Sequence, residues 1–63
     1  MFRELDMVVL KKALPNHGLN RGAVGSIVTV YPKNVGYEVE FIASKGKAGA
    51  VVTLKSSHLR AVE

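Results

Sequence analysis

The run from Gly22 to Phe41 constrains the fold more than any other part of the chain. Gly22 and Gly25 open a β-rich stretch, Ser26-Ile-Val-Thr-Val-Tyr31. Pro32-Lys-Asn-Val-Gly36 breaks it, and Tyr37-Glu-Val-Glu-Phe41 then alternates strictly. β-Branched and aromatic residues fit a pleated backbone, and a Pro/Asn/Gly cluster between two such runs reads as a turn. Two strands joined by a turn and entered through a glycine pair predict a small twisted sheet that closes on itself. The run supplies an architecture and no catalytic group.

The rest of the chain extends this pattern. Leu5 to Lys12, centred on Met7-Val-Val-Leu10, reads as a first strand, followed by a loop, Ala13 to Asn20, punctuated by Pro15 and Gly18. Gly25 to Tyr31 and Tyr37 to Phe41 are the second and third strands. Ser44-Lys-Gly-Lys-Ala-Gly49 is a polar turn before a fourth, Ala50-Val-Val-Thr-Leu54. Lys55-Ser-Ser-His58 is too short for a helix but suits one 3₁₀ turn, with a serine hydroxyl as its cap. Leu59-Arg-Ala-Val62 ends the chain as a fifth strand. No helical period persists. The expected fold is therefore all-β, one domain over residues 1–63, a five-stranded SH3-like barrel with a 3₁₀ turn before its last strand.

Period-two alternation assigns the faces. Tyr37, Val39 and Phe41 share one face of the third strand, with Val39 expected inward and Glu38 and Glu40 outward. The second strand is apolar on both faces at Ile27, Val28 and Val30, which predicts a bulge or a strand shared between two sheet halves. The expected core is Val8, Leu10, Val24, Ile27, Val30, Val39, Phe41, Val52, Leu54, Leu59 and Val62.

Composition bounds the chemistry. At 63 residues the chain has room for one thin core, and with no cysteine it has neither disulfides nor thiolate–zinc sites to reinforce it. No apolar run approaches the roughly 18 residues needed to span a bilayer. The acidic start, Glu4 and Asp6, lacks the pattern of a signal peptide. A cytoplasmic location is expected, with no membrane partner. A formal net charge of +4 favours either solubility or a polyanionic partner.

Catalysis finds little support in these residues. Ser56 or Ser57, His17 or His58, and Asp6 are the candidate triad members, but neighbours on a tight turn such as Ser57 and His58 point apart. A capping serine and a surface histidine explain them better, and no enzyme activity is expected. Two histidines without carboxylates at ligand spacing imply no metal and no cofactor. Glu38 and Glu40, about 7 Å apart along one face, meet either a basic partner or Lys55 and Arg60 in cross-strand ion pairs. Gly22 and Gly25 lack the Gly-Lys-Ser/Thr of a phosphate loop.

Two binding surfaces are nominated. Leu14, Pro15, His17 and Leu19 of the long loop, with Tyr31 and Pro32, would form a protein-binding surface, unless Leu14 and Leu19 merely tuck the loop onto the barrel. Lys11, Lys12, Arg21, Lys33, Lys45, Lys47 and Arg60 would form a nucleic-acid-binding surface, with Tyr31 or Tyr37 stacking a base. A protein partner is the leading expectation and nucleic acid the alternative, for a monomer or weak homo-oligomer.

Glu4-Leu-Asp6, Gly22-x-x-Gly25, Tyr37-Glu-Val-Glu-Phe41, Val52-Thr-Leu54 and Leu59-Arg60 together carry a resemblance. The chain resembles a family of small bacterial proteins, often cyanobacterial, that carries a "domain of unknown function" label. The resemblance implies an SH3-like fold and brings no activity, cofactor or catalytic residue. By analogy it implies an adaptor or a neutralising member of a bacterial protein pair. The chain departs from the family's expected acidic balance at Lys45-Gly-Lys47.

Overall fold

The computed structural model describes residues 2–41 and 50–62. Five strands form one antiparallel sheet: β1 (Met7–Leu10), β2 (Val24–Val30), β3 (Tyr37–Phe41), β4 (Ala50–Leu54) and β5 (Leu59–Ala61), in the order β4-β3-β2-β1-β5. The 3₁₀ turn expected before the last strand spans Ser56–His58. Two more occur where the sequence reads as turn, at Pro15–His17 and Pro32–Asn34. Each begins with proline, whose fixed φ suits the first position of a helical turn and whose missing N–H costs nothing there. The expected Ser44–Gly49 turn lies outside the described residues.

The third and fourth strands have the bounds that alternation predicts, and they pair in unbroken register from Tyr37↔Leu54 to Phe41↔Ala50. In β2 the register shifts, with Ile27 opposite Val39 but Thr29 opposite Glu38. Val28 is the extra residue. The bulge resolves the two-faced apolar pattern of this strand, because it reverses the parity of the residues that follow.

Val8, Leu10, Ile27, Tyr37, Val39, Phe41, Val52, Leu54 and Leu59 form one buried cluster, with Val30 packed partly against it. Both edge strands contribute to the cluster, so the sheet wraps around it. Gly25 lies directly opposite Phe41 and makes room for its ring.

Four core expectations need correction, the first being Tyr37, which was left out and is fully buried. Val24 is exposed, because no bulge separates it from Gly25 and Ile27, so parity turns it outward. Val62 is 47% exposed, one residue beyond the end of β5. Val9, absent from the expected core, is only 7% exposed although it faces away from Val8 and Leu10. The cap of the Ser56–His58 turn is also different. His58 Nδ1 accepts the Lys55 backbone N–H at 3.2 Å, a task the sequence reading gave to a serine hydroxyl.

Candidate functional site

The nominated protein-binding residues divide between two segments with no extensive packing between them. Leu14 and Leu19 exchange backbone hydrogen bonds across the Pro15–His17 turn and lie half-buried against the core. They therefore anchor the loop. Pro15 and His17 stay exposed on it, as does Pro32 after β2.

Tyr31 is half-buried, and its hydroxyl donates to Glu38 Oε2 at 2.5 Å. Glu38 sits between Thr29 and Thr53 in the cross-strand row. The carboxylate acceptor favours the protonated phenol, so the Tyr31 pKa is raised: the hydrogen bond to Glu38 leads, desolvation and the Glu38 charge add, and Thr53 opposes weakly. A raised folded-state pKa contributes stability below the unfolded value near 10, and that contribution is lost as pH rises through the higher folded value. Wild type should therefore lose stability between about pH 9 and pH 11 that Tyr31→Phe does not lose. Paired urea denaturations at the two pH values check this, and parallel losses in both chains would refute it.

Sequence reasoning missed an exposed face. Met7, Ser26, Glu40 and Val51 pair in one row across four strands, and Val51 and Met7 are 55% and 43% exposed. The bulged Val28 and Leu5 lie beside this row, with the Leu5 N–H on the Ile27 carbonyl. Asp6 N–H returns to the Arg3 carbonyl, and Asp6 Oδ2 accepts the Arg3 N–H. Leu5 is the third residue of this turn and has φ +74°. That is the type II position that normally takes glycine. Leu5 is nonetheless 82% exposed. Its neighbours Glu4 and Asp6, and Glu40 in the row, are exposed acids. Neither Glu38 nor Glu40 is ion-paired with Lys55 or Arg60 among the described residues.

The nominated basic residues also separate. Lys11, Arg21 and Arg60 line one depression of about 270 Å³ together with Val9, Leu10 and Gly22. Lys12 is exposed next to it in the chain. Lys33 lies past the far end of β2, a strand of roughly 20 Å at about 3.3 Å per residue. Lys45 and Lys47 fall outside the described residues. Tyr37 is buried, with the Phe2 ring edge-on at 5.4 Å and 76°, so no base can stack on it.

The candidate triad is not brought together. Asp6 Oδ2 accepts the Arg3 N–H, and His58 Nδ1 accepts the Lys55 N–H. Among the described residues, no group of three or more His, Cys, Asp or Glu is placed to hold a metal ion. Among the same residues, no helix is long and apolar enough to cross a membrane.

The family model of a domain of unknown function, DUF4926, matches residues 4–61. The chain belongs to the DUF4926 family. The DUF4926 match takes in all five strands, Leu5 and the depression around Lys11, Arg21 and Arg60. No curated protein and no solved structure matches the chain.

Proposed function

We propose that this DUF4926 domain is a non-catalytic, SH3-like binding module whose partner is a protein with an apolar, basic contact surface. The outer face of β1–β4 carries the reading. Leu5, Met7, Val28 and Val51 stand exposed there, with Glu40 in their row and the exposed acids Glu4 and Asp6 next to Leu5 in the chain. Scattered exposed apolar residues are ordinary, but apolar residues grouped on one face and rimmed by charge suit a protein interface.

Leu5 supports this most strongly. A left-handed backbone costs a non-glycine residue about 1–2 kcal/mol. Its side chain, 82% exposed, recovers little of that through burial. Strain that folding does not use is a pointer to function. The carboxylates favour a partner bearing lysine or arginine and would speed its association at low salt. The strand order and the 3₁₀ turn before β5 support the SH3-like description. Small size and an unassembled triad among the described residues support an adaptor or neutralising role over catalysis.

The test is affinity capture on the immobilised chain at low salt, followed by titration of the purified captured protein. Leu5→Gly and Glu40→Lys should each weaken that binding about tenfold, as expected when a central contact or a facing charge is lost. Capture of nothing specific, or an affinity that both variants leave unchanged, would overturn the reading.

A further inference from the structure

A second surface, opposite in charge to the first, has no role in the reading above. β1 lies between β2 and β5 in the sheet, and the depression forms between the end of β1, Arg60 of β5 and the Arg21-Gly22 segment ahead of β2. Val9 is its floor: it pairs with Val24 on one side and with Arg60 on the other. Lys11, Arg21 and Arg60 line the depression with it, and stems of this kind cover apolar surface while their charged heads remain in water.

None of these three cations is paired with a carboxylate among the described residues. The described acids lie elsewhere: Glu4 and Asp6 before β1, Glu38 and Glu40 on β3. Three like charges over a low-dielectric floor repel one another and concentrate positive potential, an arrangement stabilised when an anion enters.

We propose that this depression binds the side-chain carboxylates of an acidic protein segment. Its volume of about 270 Å³ accommodates an acidic side chain and its stem, with Val9 beneath the methylenes. The guanidinium groups of Arg21 and Arg60 match a carboxylate in fork geometry. β5 is an edge strand, so an extended segment has room to lie beside Arg60.

Two other anions fit less well. Phosphate cradles rely on free backbone N–H groups. Here the Leu10, Lys11 and Gly22 N–H groups are already bonded to the Ala23, His58 and Leu10 carbonyls. A polynucleotide needs a track of cations with stacking surfaces, whereas Lys33 is at the far end of β2 and Tyr37 is buried.

The experiment titrates a hexaglutamate peptide into the ¹⁵N-labelled full chain at constant ionic strength, with inorganic phosphate and a single-stranded 20-mer DNA as separate arms. Saturable shifts are expected at the Val9, Leu10, Lys11, Gly22 and Arg60 amides. Arg21→Ala and Arg60→Ala should each weaken binding about fivefold, as for the loss of an exposed charge-assisted hydrogen bond. Arg21→Glu/Arg60→Glu should abolish it. Lys33→Ala and Leu5→Gly should leave it unchanged, with the amide spectra reporting that each variant is folded. Three outcomes would overturn the proposal: no saturable shift, phosphate saturating these amides at lower concentration than the peptide, or tighter DNA binding that Lys33→Ala weakens.

Discussion

Gly25→Ala is expected to remove about 3 kcal/mol of folding stability, at the upper end of what overpacking a core costs. A Cβ built on Gly25 would lie 2.8 Å from the Glu40 carbonyl oxygen, 2.8 Å from Val39 Cγ1 and 2.9 Å from Phe41 Cδ1. Flexible side-chain ends could move aside, but the Glu40 carbonyl belongs to the β2–β3 ladder, so relief requires the strands to separate. Gly22→Ala is the informative control. Nothing lies within 4 Å of a Cβ there, but φ is +94°, so the penalty is conformational. A loss of about 1–2 kcal/mol is expected for it. Urea denaturation of both variants checks the order. A Gly25→Ala loss smaller than that of Gly22→Ala would mean that the close packing of β2 on β3 is wrong.

Phe41→Ala removes the ring on the other side of the same contact. Phe41 is fully buried, in direct register with Gly25 and Ala50. Both partners are small, so neither fills the space the ring leaves. Truncating a buried phenylalanine costs about 3–5 kcal/mol. At roughly 0.05–0.15 kcal/mol per residue, a domain of this length has a total of only about 3–9 kcal/mol. The variant should therefore be largely unfolded at 37 °C, with dispersed amide resonances lost. Val51→Ala, on the exposed face of β4, should change stability by less than about 0.5 kcal/mol. Comparable losses in the two variants would contradict the assignment of inner and outer faces.

Much of the fold was legible because its strands follow simple alternation. Tyr37-Glu-Val-Glu-Phe41 and Ala50 to Leu54 have the expected bounds, and the apolar excess in β2 pointed correctly to a bulge. Val24 was misassigned because a bulge changes which spacings share a face, and its position within the strand is set by pairing with β3. Val9 escaped notice for a different reason. It shares its depression with basic residues from three separate segments, and no local pattern encodes that.

The proposed binding surfaces were less legible. Lys11, Arg21 and Arg60 were among the basic residues nominated, but nothing in their spacing separates them from Lys33. Only the strand order collects them. Leu5 was hidden most deeply. Turn chemistry predicts glycine or asparagine at a left-handed position, so a leucine in Glu4-Leu-Asp6 reads as the start of a strand. The sequence signal lies in that mismatch, and it is visible only once the turn is known.

The central claim is that Leu5 is held in a strained, exposed position for binding and contributes little to folding. The most direct measurement is the folding free energy of Leu5→Gly by urea denaturation, read beside its affinity for the captured partner. Glycine relieves the left-handed strain of about 1–2 kcal/mol and loses part of that gain to the entropy of its unfolded chain. Stability should rise by up to about 1 kcal/mol while affinity falls about tenfold. A loss of stability with binding intact would contradict the account.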